Sequence, residues 1–220
     1  SLVRIKLELI SILDYGMGNT RSVLNAFNLL GEKCIITNKR SDIIKSEVIV
    51  LPGVGAFSEG MANIKQNGLF EILNEEVIDK KKPYLGICLG LEFLAKNSLE
   101  GGFCEGLGWL DGEVRQIETS KDESKIPHMG WNDTNVILND GIYSGIKEPS
   151  FYYLHSYYLH LKNKDKQYIS GECSYGNSKI TSSIEKNNIF AVQFHPEKSQ
   201  SVGIRLLQNF LIRVRENVKE

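Results

Sequence analysis

A thiol, an imidazole and a carboxylate stand in this chain in settings that together suit covalent catalysis at a carbonyl carbon. In Lys82-Pro83-Tyr84-Leu85-Gly86-Ile87-Cys88-Leu89-Gly90 an apolar run meets Gly-x-Cys-x-Gly and passes directly into a helical pattern. This is the thiol form of a nucleophile elbow, a sharp strand-to-helix turn that exposes the nucleophile at the strand's end. Glycines on both sides remove side chains that would clash in so tight a turn. The helix N-terminus beside Cys88 favours its thiolate, and the backbone N–H of Leu89 is placed to stabilise an oxyanion. Outside such a context, a cysteine is more often a buried structural residue.

A thiol nucleophile needs a base, and the base needs an orienting partner that fixes its tautomer. Phe190-Ala191-Val192-Gln193-Phe194-His195-Pro196-Glu197 is an apolar strand that delivers His195 at its end and Glu197 two residues later. Alone it is a weak signal, because a strand-end histidine is commonly structural; beside the cysteine elbow it is a strong one. A third stretch, Val50-Leu51-Pro52-Gly53-Val54-Gly55-Ala56-Phe57, ends an apolar run in Gly-x-Gly. Backbone N–H groups in such a loop can approach a ligand closely, and one near Val54 suits a second oxyanion donor. By itself this loop reads equally as an ordinary turn.

Something must bring the three segments together. Ile10–Leu13, Cys34–Thr37, Val48–Leu51 and Tyr84–Ile87 are short apolar runs, two of them closed by Asp14-Tyr15-Gly16 and Pro52-Gly53. Helical patterns lie between and after them: Val23, Leu24, Phe27 and Leu30 with Gly31 as C-cap, a stretch over residues 58–80, and Leu89–Lys96. Strands alternating with helices predict parallel βαβ units. Strand-like stretches then recur near 108–118, 151–160, 167–174, 179–185 and 189–194, before an amphipathic helix over Arg205–Val214. The expected fold is α/β: a single domain over residues 10–216 with a central, mostly parallel sheet flanked by helices, and antiparallel strands in its C-terminal half. Residues 1–9 read as an N-terminal extension.

Composition narrows the partners. The chain has 220 residues, with 26 Lys+Arg against 27 Asp+Glu and a net charge of −1. At this length folding buries roughly 70% of the unfolded chain's surface, enough for a core without staples. Near-zero charge gives no long-range pull toward nucleic acid or an anionic membrane, and no apolar run approaches the ~20 residues of a membrane span. Cys34, Cys88, Cys104 and Cys173 form no CxxC pair and show no zinc spacing with histidine. Reduced thiols in a cytoplasm are expected, with no metal. Neither a Walker A loop nor GxGxxG is present, so no cofactor is expected either.

The order Pro-Gly-Val-Gly-x-Phe, Gly-x-Cys-Leu-Gly and Phe-His-Pro-Glu-Lys-Ser resembles the class I (triad) glutamine amidotransferases. Asp14-Tyr15-Gly16-Met17-Gly18-Asn19, Pro127-His128-Met129-Gly130-Trp131-Asn132 and Tyr153-Leu154-His155-Ser156-Tyr157 narrow the resemblance. They are similar to the glutaminase subunits that supply ammonia for imidazole glycerol phosphate formation in histidine biosynthesis. The resemblance implies an L-glutamine substrate, Cys88, His195 and Glu197 as the triad, and Val54 and Leu89 as the oxyanion hole. It implies glutamine contacts at Gly53, Gly55, Glu92, Glu100, His155, Ser156 and Tyr157, with the Glu100 carboxylate facing the α-ammonium group. It also implies a heterodimer with a (β/α)8-barrel cyclase, whose interface takes in Asn19, Pro127, His128, Met129, Trp131 and Asn132.

One departure stands out. The family usually continues Cys-Leu-Gly-Met-Gln, whereas this chain has Leu91 and Glu92. Leu for Met conserves volume. Glu92 exchanges an amide that donates and accepts for a carboxylate that only accepts, which is expected to weaken glutamine binding and to raise the thiol's pKa unless the carboxyl is protonated. Three alternatives stay open: a paralogous synthase that aminates or amidinates a nucleotide sugar for surface polysaccharide, a cysteine hydrolase of γ-glutamyl or peptide bonds, and a non-catalytic scaffold subunit.

Overall fold

The computed structural model describes residues 7–119 and 125–217; residues 1–6 of the expected N-terminal extension lie outside the described residues. The four apolar runs of the first half form strands with the bounds their sequence predicts: β1 (Ile10–Leu13), β2 (Cys34–Thr37), β3 (Val48–Leu51) and β4 (Tyr84–Ile87). Helices α1 (Thr20–Leu29), α2 (Arg40–Lys45), α3 (Phe57–Gln66) and α4 (Leu69–Leu73) intervene, and α5 (Leu89–Glu92) follows β4. The second half supplies β5 (Asn97–Ser98), β6 (Cys104–Glu105), β7 (Gly112–Gln116), β8 (His128–Asp133) and β9 (Asn135–Val136). After these come β10 (Ser150–His155), β11 (Tyr157–Leu161), β12 (Ile169–Tyr175), β13 (Ser178–Lys186), β14 (Ile189–Val192) and α6 (Gln200–Asn217).

The main sheet runs β2-β1-β3-β4-β14-β13-β12-β9. Its first five strands are parallel and its last three antiparallel. Because both faces are covered, the central strands are apolar on both sides. Val48 and Val50 enter one core, under Val23 and Phe27 of α1 and Leu206 and Phe210 of α6. Ile49 and Leu51 enter the other, under Met61 and Ile64 of α3 and Ile72 of α4. Strands β11-β7-β5-β6 make a second sheet, and β8 pairs with β10 in a separate two-stranded ribbon. Trp109 packs edge-on against Tyr84, centroids 5.2 Å apart, and donates to Asn74 Oδ1 at 2.8 Å. No helix among the described residues is long and apolar enough to cross a membrane.

Four expectations are corrected. The helix read over 58–80 breaks at Gly68, whose φ of +67° ends one helix and starts the next, and beyond Leu73 the chain widens into a π-helical turn over Asn74–Asp79. The helix read over Leu89–Lys96 stops at Glu92, because the carbonyls of Phe93, Leu94 and Ala95 are taken by the N–H groups of Leu107, Leu110 and Gly108. The strand read over 151–160 divides at Ser156 into β10 and β11, which belong to different sheets. The terminal helix is longer than Arg205–Val214, running Gln200–Asn217.

Candidate active site

Sheet order does the assembling. Strands β3, β4 and β14 lie side by side and parallel, with Leu51 opposite Gly86 and Ile87 opposite Val192. The residues that follow them therefore emerge together at one sheet edge, where parallel α/β folds place their ligands. Cys88 leaves the middle strand, the Gly53–Gly55 loop flanks it on one side, and the segment leading to His195 flanks it on the other.

The elbow is as tight as its glycines predict. Cys88 has φ 55° and ψ −106°, a left-handed backbone that a non-glycine residue holds only under constraint. A Cβ on Gly86 would stand 2.4 Å from the Gly90 carbonyl oxygen, and one on Gly90 would stand 1.9 Å from that of Leu51. The Cys88 N–H donates to Val192 at 2.8 Å, which ties the turn to β14.

His195 Nδ1 lies 2.7 Å from Glu197 Oε1, and both side chains are 2% exposed. His195 is held from behind: its backbone N–H donates to Tyr152 O at 2.9 Å, and Ser199 Oγ donates to its carbonyl at 2.7 Å while accepting from Tyr152 N–H at 2.9 Å. Burial pushes the imidazole's pKa down, but the charges of Cys88 and Glu197 outweigh that and raise it to about 10. Nε2, the nitrogen on the side of the thiol, is buried and has no other partner among the described residues, and Cys88 is the group that chiefly raises the imidazole, by charge and by hydrogen bonding. Cys88 Sγ also sits 3.7 Å from Leu154 O and accepts from Gln193 Nε2 at 3.7 Å.

The expected oxyanion hole is not assembled. Leu89 N–H donates to Gly53 O at 3.2 Å. In a trans peptide the N–H points opposite to the C=O, so the Val54 N–H is turned away from that of Leu89. The two expected donors border the same cavity but do not converge. Glycines at 53 and 55 leave that peptide free to rotate.

Beside the thiol lies a cavity of about 320 Å³. Of the expected glutamine contacts, Gly55, Glu92, Glu100, His155, Ser156 and Tyr157 line it; Gly53 does not, and its carbonyl serves the Leu89 contact. Glu100 accepts from the N–H of Phe57, the first residue of α3, at 3.1 Å, a favourable place for a carboxylate. Leu154 and Gln193 were not singled out from the sequence. Gln193 carried a signal, being a polar residue inside an apolar strand; Leu154 acts through its backbone and carried none.

The expected interface residues divide. Met129 and Trp131 are 65% and 49% exposed, on one face of β8, and exposed Pro127 borders the cavity. Asn19 is exposed and caps α1, accepting from Ser22 N–H at 3.2 Å. His128 is a correction: it is 2% exposed, stacked on Tyr153 and Tyr175. Its placement follows from strand alternation, which turns it inward while Met129 and Trp131 face out.

His128 belongs to a directed chain. His155 Nδ1 faces the Tyr157 carbonyl at 2.7 Å and must donate, which leaves its Nε2 to accept from His128 Nδ1 at 2.9 Å. His128 Nε2 then accepts from Asn132 Nδ2 at 3.2 Å, and the same amide donates to Ser174 O at 3.0 Å. Burial lowers both imidazoles, to about 4 for His128 and about 3 for His155, so both are neutral. The unfolded chain therefore binds more protons as pH drops below about 6.5, and stability falls by about 1.4 kcal/mol per pH unit for each proton. His195, protonated in both states there, does not offset the loss, whereas the buried carboxyls of Glu92 and Glu185, raised above the usual carboxylate range, hold protons in the folded state longer than in the unfolded one and oppose it. The share of the pair is therefore read by difference: from neutral pH down to about pH 5 the denaturant midpoint of the wild type is expected to change less favourably than that of His128→Phe, and parallel profiles would contradict a neutral His128.

Residues 11–214 match the model of the family Glutamine amidotransferase class-I. The chain belongs to that family and is a glutamine amidotransferase. It is 44% identical over 203 residues to the imidazole glycerol phosphate synthase subunit HisH 1 of Campylobacter jejuni, covering 92% of this chain and 98% of that one. It is also 44% identical over 204 residues to the subunit HisH 2 of Pseudomonas aeruginosa, again covering 92% and 98%. A solved chain of PurLQS from Thermotoga maritima shares the fold, with a TM-score of 0.69 at 19% identity over 94% of this chain and 98% of that one.

Proposed function

We propose that this chain hydrolyses L-glutamine to glutamate and ammonia through a Cys88 thioester, as the glutaminase subunit of an imidazole glycerol phosphate synthase in histidine biosynthesis. It works in the cytoplasm as a heterodimer with a (β/α)8-barrel cyclase that consumes the ammonia. The convergence of Cys88 with the His195–Glu197 pair beside a cavity bearing Glu100 carries the chemical part of this reading. The relatives named HisH support the pathway. Exposed Met129 and Trp131, with Pro127 at the cavity mouth, support a docking face there.

Cys88 Sγ attacks the carboxamide carbon, and the oxyanion that forms needs the N–H groups of Leu89 and Val54. His195 passes a proton to the departing ammonia, leaving a γ-glutamyl thioester. Water then attacks that thioester as His195 takes its proton, and glutamate leaves with the thiol restored. Glu100 holds the α-ammonium group. The resting arrangement, with Leu89 N–H donated to Gly53 O, stabilises no oxyanion until the Gly53–Val54 peptide turns. Partner docking that favours the turned peptide would couple ammonia release to its use.

The test is glutamate release by the purified chain, with and without the cyclase and its nucleotide ligand. Basal turnover is expected to be weak and to rise by about two orders of magnitude in the complex, the worth of an oxyanion donor. A basal rate equal to the complexed rate would contradict the coupling. A second reading keeps the chemistry and changes the synthase. The numbering of the relatives as HisH 1 and HisH 2 favours it, since it marks more than one such subunit in those organisms. Stimulation by a different synthase and none by the histidine cyclase would select it.

A further inference from the structure

Glu92 ends α5, one helical turn beyond the nucleophile, and its side chain lines the cavity. It is 4% exposed. No hydrogen bond or ion pair to its carboxyl is found among the described residues. The groups whose charge it meets are all acidic: Cys88 from the elbow, Glu100 from the loop after β5, and Tyr15 from the loop after β1. Among the described residues, no lysine or arginine lines the cavity. An ionised carboxylate in that setting would be desolvated and uncompensated, which proteins avoid by protonating the group. Burial first, then Cys88 and Glu100, push it well above the usual carboxylate range.

Glutamine brings oxygens to this cavity, those of its carboxamide and its α-carboxylate, and among the described residues no lysine or arginine lines it to receive them. A protonated carboxyl, like an amide, both donates and accepts, with one O–H donor where the amide has two N–H. We propose that Glu92 meets glutamine as a neutral carboxylic acid, donates its O–H to an oxygen of the substrate, and thereby makes glutamine affinity depend on pH. This rests on the glutaminase reading and deepens it. The expectation that Glu92 only accepts is thereby replaced: the exchange from amide to acid is neutral in charge while the proton stays on. Once it leaves, a fixed negative charge faces the substrate's oxygens, and affinity falls about tenfold for each further pH unit.

The experiment is the KM for glutamine, measured on the cyclase-bound enzyme from mildly acidic to alkaline pH, for the wild type, Glu92→Gln and Glu92→Leu. The kcat profile reports Cys88 and His195 and is read separately. Wild-type KM is expected to climb with pH more steeply than that of Glu92→Gln, which donates at every pH and carries only the titration of glutamine's own ammonium group. Glu92→Leu, with no donor, is expected to show a KM raised at least tenfold at neutral pH and a slope no steeper than that of Glu92→Gln. It keeps the test decisive if the amide variant folds poorly. Wild-type and variant profiles of the same slope overturn the proposal and leave the glutaminase standing. Absence of hydrolysis by the wild type, with and without its partner, overturns both.

Discussion

Cys88→Ala lowers kcat for glutamine hydrolysis by about four orders of magnitude or more, the scale set by removing the nucleophile of a triad. The expectation follows from geometry: the sulfur sits on the strained elbow between β4 and α5, next to the cavity, and no other thiol lines that cavity. His195→Ala is expected to cost about as much, and the double variant no more than either single one, because a nucleophile and its base act as one unit. Glutamine binding should survive Cys88→Ala, since Glu100, Ser156 and Tyr157 line the cavity independently of the sulfur. Single-turnover glutamate release and calorimetric titration of glutamine measure the two effects separately. Retained turnover in Cys88→Ala would remove Cys88 as the nucleophile; additive losses in the double variant would mean that His195 serves another step.

Gly90→Ala is the second large effect, and it is structural. The added methyl would lie 1.9 Å from the carbonyl oxygen and 3.0 Å from the carbonyl carbon of Leu51, which is backbone of a central strand. Neither atom can yield without moving β3 or lifting α5 off the sheet. A loss of about 4 kcal/mol or more is expected, in the exceptional range that steric conflict in a core produces. Gly31→Ala is the comparison: its φ is +77° but nothing lies within 4 Å of the new methyl, so only backbone strain remains, about 1 kcal/mol. Urea midpoints of the two variants should differ widely. Equal midpoints would mean that the close contact between elbow and β3 is absent in solution.

What could be read from the sequence was whatever local pattern alone decides. The first four strands are buried on both faces, so each is an unbroken apolar run bounded by turn residues, and their bounds were predictable. The expected triad was proposed on the same ground: Cys88 follows directly on such a run, His195 on the stretch over residues 190–194, and Glu197 stands two residues beyond. What failed depends on distant chain. The end of α5 is set by residues 107–110 capturing the carbonyls of Phe93, Leu94 and Ala95 just beyond it, and nothing within Leu89–Lys96 announces that. The division at Ser156 comes from two different partner strands, β8 and β7, claiming neighbouring residues. Strand β8 itself was missed, because His-Met-Gly-Trp-Asn-Asp carries too few apolar residues for period two to stand out. His128 was placed at the interface by the resemblance, and without that strand nothing in the sequence showed that it turns inward. The orientation of the Gly53–Val54 peptide, which keeps the expected oxyanion donors apart, leaves no trace in residue types.

The chain's two tryptophans occupy opposite settings. Trp109 is partly buried, held between Tyr84 and Asn74 against the core, and Trp131 is exposed on β8 beside Met129. Their light emission is therefore divided by location. The indole at 109 follows the integrity of the fold, and the one at 131 follows what covers the ribbon. An unlabelled sample carries two optical channels, one for unfolding and one for docking, and replacing either tryptophan by phenylalanine isolates the other.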